Sequence, residues 1–143
     1  MPSNTRRLSV LVADDNPDAL AWLAGVVYRA SPGARIVQAA DGYAALRQAE
    51  QVRFDLAVLD YQMPGFNGSE VARILRTRGV RCEVVTSSPI SREAKAETTP
   101  KDDVPARMPG WVAGCRAAEK VEPGPALAAA AAPSSSGRVL APA

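Results

Sequence analysis

Apolar positions along this chain alternate between two rhythms. Leu8 to Val12 is a short apolar run with β-branched members, interrupted only by Ser9, the pattern of a strand covered on both faces, and Val58 and Leu59 close a second such run. Between them Leu20, Leu23, Ala24 and Val27 recur at three- and four-residue spacing, which predicts an amphipathic helix. Asn16 can cap that helix and Pro17 can take its first position, where a missing N–H costs nothing. Ile36 and Val37 predict a brief strand, Asp41 and Gly42 a turn, and Ala45, Leu46 and Ala49 the buried stripe of a second helix. After the run ending at Asp60, Ser69 is a candidate cap for a third helix that buries Val71, Ala72, Ile74 and Leu75 and stops at Gly79.

Strands alternating with helices at this rhythm predict βαβ units, hence a parallel sheet with right-handed crossovers. Ligands of such sheets bind beyond the carboxyl ends of the strands. Asp14, Asp15 and Asp60 all project there, and "EVVTSS" brings Thr86 to a further strand end.

Beyond Ser88 the pattern weakens. "ISREAKAETTPKDDVPARMPGWVAGC" is punctuated by Pro100, Pro105 and Pro109 and is expected to form one short helix and a long loop. "EPGPALAAAAAP" is expected to be a last, Ala-rich helix anchored by Leu127, and residues 133–143 a disordered tail. The expected organisation is therefore one domain over 1–132, loop-rich across 88–118, with no internal repeat.

Length and composition limit the classes of function. A chain of 143 residues can bury a core without staples. Its 17 Lys and Arg against 15 Asp and Glu are too balanced to argue for nucleic acid or an anionic membrane, so direct nucleic-acid binding is not expected. No segment suits a signal peptide or a bilayer span, which gives a cytoplasmic expectation with no membrane insertion. Cys82 and Cys115 form no CxxC pattern and read as ordinary thiols. The chain has no histidine, so any phosphohistidine must come from a partner.

Clustered carboxylates either share a proton or hold a cation. With oxygen ligands and no His or Cys nearby, a hard ion is expected, and an open, water-rich site suits Mg²⁺ better than Ca²⁺. "ADD" alone would favour a plain turn or helix-terminus role; its pairing with a third acid at a second strand end reverses that preference. Thr86 alone reads as a strand-end hydroxyl, and Lys120 alone as a surface lysine. Taken together, these groups are the parts of phosphoryl transfer to a carboxylate.

Through "VLVADDNPDAL", "VQAADGYAAL", "FDLAVLDYQMPGFNG" and "EVVTSS" the sequence resembles bacterial two-component response-regulator receiver domains of the stand-alone, CheY-like kind. The 45 residues from Asp15 to Asp60 are the length of one strand-helix-strand-helix-strand passage. The resemblance implies a doubly wound, flavodoxin-like α/β fold with a five-stranded parallel sheet in the order 2-1-3-4-5 and an irregular C-terminal third. It implies Asp60 as phosphoacceptor, Asp14 and Asp15 as the acidic pair, and a Mg²⁺ site of Asp14, Asp15, Asp60 and the Gln62 carbonyl. Thr86 would bond the phosphoryl group and Lys120 would pair with it.

The implied function is a single-domain switch or relay, not an enzyme acting on a separate substrate. It would take its phosphoryl group from a sensor histidine kinase or a His-phosphotransfer protein and pass the signal to a downstream protein. Phosphorylation would then order part of 88–118. The alternative is an interaction module of the same fold that works without phosphorylation. A phosphatase-like hydrolase is disfavoured, because Gln62 stands where a second acid would be needed.

The chain departs from the family pattern in its last third. Thr86 to Lys120 spans 34 residues, Glu83 falls inside an expected buried strand, and Val121 stands where a proline usually follows the lysine.

Overall fold

The computed structural model describes residues 7–87 and 97–120. Five parallel strands form one sheet in the order β2-β1-β3-β4-β5. The strands are β1 Ser9–Ala13, β2 Arg35–Ala39, β3 Leu56–Asp60, β4 Arg81–Thr86 and β5 Thr98–Pro100. The helices among the described residues are α1 Pro17–Ala30, α2 Gly42–Gln51, α3 Gly68–Arg76 and α4 Val104–Lys120, the last entered through a 3₁₀ turn at Lys101–Asp103.

Strand alternation divides the core into two layers, because successive side chains leave opposite faces of the sheet. Val10, Val12, Leu56, Val58 and Val85 pack with Leu23 and Val27 of α1 and Met108, Trp111 and Val112 of α4. Leu11, Ala13, Ala57, Leu59 and Val84 face the other way, onto Ala45 of α2 and Val71, Ala72 and Leu75 of α3. All five residues of β3 are buried, as its central place demands.

Helix starts follow short polar side chains. The Asn16 side chain accepts from the N–H groups of Asp18 and Ala19, with Pro17 in the first turn, as the sequence predicts. Asp41 is itself a cap, accepting from Ala44, so the expected turn opens α2 directly. For α3 the cap is Asn67, not Ser69: Asn67 and Glu70 bond each other's backbone in a capping box, and Ser69 falls inside the first turn. Gly79, at φ +85°, follows the end of α3, in the left-handed conformation that glycine adopts without steric cost.

The segment 97–120 corrects the loop-rich expectation. Thr98 and Thr99 pair with Val84 and Val85, so the fifth strand is made of threonines and carries no apolar pattern. Val104, Met108, Trp111, Val112 and Cys115 then form a helical stripe buried against α1 and the sheet. Pro105 lies in the first turn of α4, where its missing N–H is harmless, and Pro109 is the one proline in the helix interior. The expectation that 88–118 is mobile and is ordered in part on phosphorylation is therefore set aside for 97–118, which already forms strand and helix. The Ala-rich stretch and the 133–143 tail lie outside the described residues.

Candidate phosphoacceptor site

Two strand ends deliver the three acids to the carboxyl edge of the sheet. Asp14 and Asp15 follow β1, and Asp60 ends β3, its neighbour. Carboxylate oxygens of all three lie within 4.8 Å of one another. Asp14 is 1 % exposed and Asp60 6 %, whereas Asp15 faces solvent.

The backbone around Asp60 is fixed from both sides. The Tyr61 N–H donates to the Val85 carbonyl at 2.7 Å, and the Gly68 N–H donates to the Tyr61 carbonyl at 3.0 Å. Gly65 turns the chain at φ +79°. A Cβ on Gly68 would stand 2.4 Å from the Asp60 carbonyl oxygen, so only glycine lets α3 begin this close to the strand end. Asp14 is held in turn, one carboxylate oxygen accepting from the Asn16 N–H at 2.9 Å while its own N–H donates to Ala39 at 3.1 Å.

The lysine at these acids is Lys101. Its Nζ lies 2.6 Å from Asp14 Oδ2 and 3.3 Å from Asp60 Oδ1, at the end of β5. Lys120, the lysine expected from sequence, closes the carboxyl end of α4. At about 1.5 Å of rise per residue, that helix carries it roughly 25 Å from where Lys101 sits. Sequence reasoning missed Lys101 because a three-residue strand of "TTP" gives no apolar signal. The clue was "PK" closing a β-branched pair fifteen residues after Thr86. Thr86 is where it was expected, at the end of β4 and buried, one residue beyond the Val85 that pairs with Asp60. Gln62 is exposed in the turn that follows Asp60.

Electrostatics set these groups apart. Burial pushes the Asp60 carboxyl up to about 6, and the charges of Asp14 and Asp15 add to the rise while Lys101 opposes it. Burial by itself would lower Lys101, but its hydrogen bond to Asp14 and the charges of Asp60 and Asp14 outweigh that and hold it above its ordinary value. The Lys101 ammonium is thus a cation seated between two acids. Together with an oxygen-only donor set, this shows that the cluster suits a hard divalent ion such as Mg²⁺, and Asp14, Asp15 and Asp60 are the residues that would hold it.

A doubly wound five-stranded sheet thus carries an acid triad and a lysine at its carboxyl edge. The response regulator receiver domain model matches residues 10–101, and the chain belongs to that family. It is 36 % identical over 92 residues to a protein-glutamate methylesterase/protein-glutamine glutaminase of Treponema denticola, covering 64 % of this chain and 24 % of that protein. It is 36 % identical over 75 residues to the sensor protein GacS of Pseudomonas syringae pv. syringae, covering 52 % of this chain and 8 % of that protein. The chain thus spans a quarter or less of these relatives' lengths. A CheY-like receiver domain protein from Methanospirillum hungatei shares the fold with a TM-score of 0.64 and 21 % identity, over 80 % of this chain and 98 % of that one. No helix among the described residues is long and apolar enough to cross a membrane.

Proposed function

We propose that the chain is a response-regulator switch that accepts a phosphoryl group on Asp60 from a partner's phosphohistidine in a Mg²⁺-dependent reaction. The observation that carries this is the seating of Asp60 in contact with Lys101 and beside Asp14 and Asp15 at the end of a fully buried strand. A carboxylate oxygen of Asp60 attacks phosphorus as the bond from phosphorus to the partner's imidazole nitrogen breaks, and the imidazole leaves with the electron pair. Asp14, Asp15, Asp60 and the Gln62 carbonyl would hold a Mg²⁺ ion, which when bound would supply positive charge to the phosphoryl oxygens.

The remaining roles fall to this chain's own side chains. Lys101 neutralises the charge that arrives with the phosphoryl group, keeping Asp14 as its anchor. The Thr86 hydroxyl donates to a phosphoryl oxygen. The kinase class is suggested by the likeness to GacS, a sensor protein, and the downstream partner is a protein that reads the repacked surface around Thr86 and β5.

The test is intact mass and peptide mapping after incubation with Mg²⁺ and acetyl phosphate. One phosphoryl group on Asp60, absent when the metal is chelated before the phosphodonor is added, is the expected result. Failure to label, with the fold intact, would leave the interaction module that works without phosphorylation.

A further inference from the structure

The balanced net charge conceals a division of the molecule into two poles. Each of the four adjacent strands β2, β1, β3 and β4 is entered through an arginine at its first residue or within three residues before it. These are Arg35, Arg7, Arg53 and Arg81, and all four are exposed. Neighbouring strands lie about 4.8 Å apart, so the four form a row roughly 15 Å long across the amino-terminal rim of the sheet. Arg29 in the last turn of α1, and Arg76 and Arg78 at the end of α3, flank the row and are also exposed.

The acids that balance these charges in the totals stand at the opposite edge: the metal triad, Asp41, and the Asp102 and Asp103 of the turn after β5. Among the described residues, Glu50, Asp55 and Glu83 lie near the rim, and the last turn of α4 brings the Glu119 position there as well. One Asp55 oxygen is taken by the Ser9 N–H at 2.8 Å, and Glu83 faces Arg81 at 3.8 Å. Arg35, Arg53 and Arg78 have no ion pair among the described residues.

We propose that this rim binds the phosphodiester backbone of nucleic acid without reading its sequence. Apart from Lys120 at the end of α4, the positive charge of the described residues at this rim is arginine, whose planar fork bonds phosphate oxygens in pairs. The row is complementary to a polyanion that presents one charge every 3.4 Å or so along a strand. Protein interfaces centre on buried apolar anchors, and amphipathic membrane anchors add apolar side chains that enter the lipid boundary; purely electrostatic adsorption to an anionic bilayer is the competing outcome that the vesicle arm of the test reads. Among the described residues the rim offers one exposed large apolar residue, Tyr28 beside Arg29. The other exposed ones are Trp22, near the middle of α1, and Tyr43 and Phe66, at the acidic edge. A single tyrosine among arginines suits stacking on a base. The rim is at the far end of the strands from Asp60, so this binding stands or falls independently of phosphorylation.

Fluorescence anisotropy with the full chain tests it, using a labelled single strand of about 20 nucleotides and the matching duplex at about 50 and 200 mM salt. Binding that weakens steeply with salt is expected. Arg35→Glu/Arg53→Glu should reduce it at least about tenfold and flatten the salt dependence by roughly two charges, with the thermal melt unchanged. Arg53→Glu should weaken binding more than Arg47→Glu, which removes the same charge from the middle of α2. No binding at the lower salt overturns the proposal. So does equal loss from the Arg47 variant, or equal affinity for polyglutamate or for phosphatidylserine vesicles.

Discussion

The Lys101 ammonium stands 2.6 Å from the Asp14 carboxylate, and the same nitrogen reaches Asp60 at 3.3 Å. One cation therefore ties the end of β5 to the ends of β1 and β3. It occupies carboxylate oxygens that a divalent ion would also use, so lysine and metal compete for the same charge. Lys101→Met is expected to tighten Mg²⁺ binding by up to about tenfold, the order of one partly buried charge interaction. It should also weaken retention of the phosphoryl group. Lys120→Met should change neither. Isothermal calorimetry of the three proteins checks this, and a Lys120 variant that mimics Lys101→Met would return the role to Lys120.

Asp60 makes stability depend on pH in an unusual direction. Its folded pKa of about 6 lies above the ordinary 3.8, so between these values the folded state binds more protons than the unfolded state. Its contribution is therefore fully present below the ordinary value and declines as pH rises through the folded one. In metal-free buffer the wild type should lose up to about 3 kcal/mol relative to Asp60→Asn between pH 4 and roughly 6.5. Paired denaturation curves across that range measure the difference; a flat difference would refute the raised pKa. Mg²⁺ at saturating concentration should remove most of the effect, because it stabilises the ionised carboxylates.

Gly68→Ala should be costly for its size. The added methyl carbon would meet the Asp60 carbonyl oxygen at 2.4 Å and its carbon at 2.9 Å, both backbone atoms that cannot swing aside. A loss of about 2 to 3 kcal/mol is expected in urea unfolding, with slower labelling of Asp60 as the strand end shifts. Gly33→Ala, where nothing lies within 4 Å of the new carbon and φ is ordinary, serves as the neutral control.

Asp15→Asn should separate metal binding from folding. Asp15 is exposed and belongs to the triad, so its amide should leave the melting temperature within a degree or two and weaken Mg²⁺ by about tenfold or more. NMR titration of the Asp14 and Tyr61 amides reports it. Unchanged affinity would remove Asp15 from the ligand set.

Much of this protein is determined by sequence alone, and the reason is local. Apolar runs at Leu8–Val12, broken only by Ser9, and up to Leu59 specify buried strands. Asn16 with Pro17 specifies a helix start, Gly79 follows a helix end, and the Asp15 to Asp60 interval is a passage of fixed length through the fold. These signals act within a few residues or by chain length, so tertiary packing had little to override. What only the tertiary structure decided lies where local signal and final environment part. Asn67 displaced Ser69 as a cap because Glu70 could answer it in a capping box. Thr98 and Thr99 became a strand because β4 offered an open edge, not because they are apolar. Pro105 and Pro109 hid a helix whose Val104, Met108, Trp111, Val112 and Cys115 stripe needed α1 and the sheet to bury it. Lys101 replaced Lys120 for the same reason: a lysine acquires its partners from the strand that carries it, and that strand exists only by pairing with β4. The row of arginines at the strand starts and the acid cluster at the strand ends are likewise absent from any count of charges, because it is the parallel sheet that sends every strand start to one edge and every strand end to the opposite one.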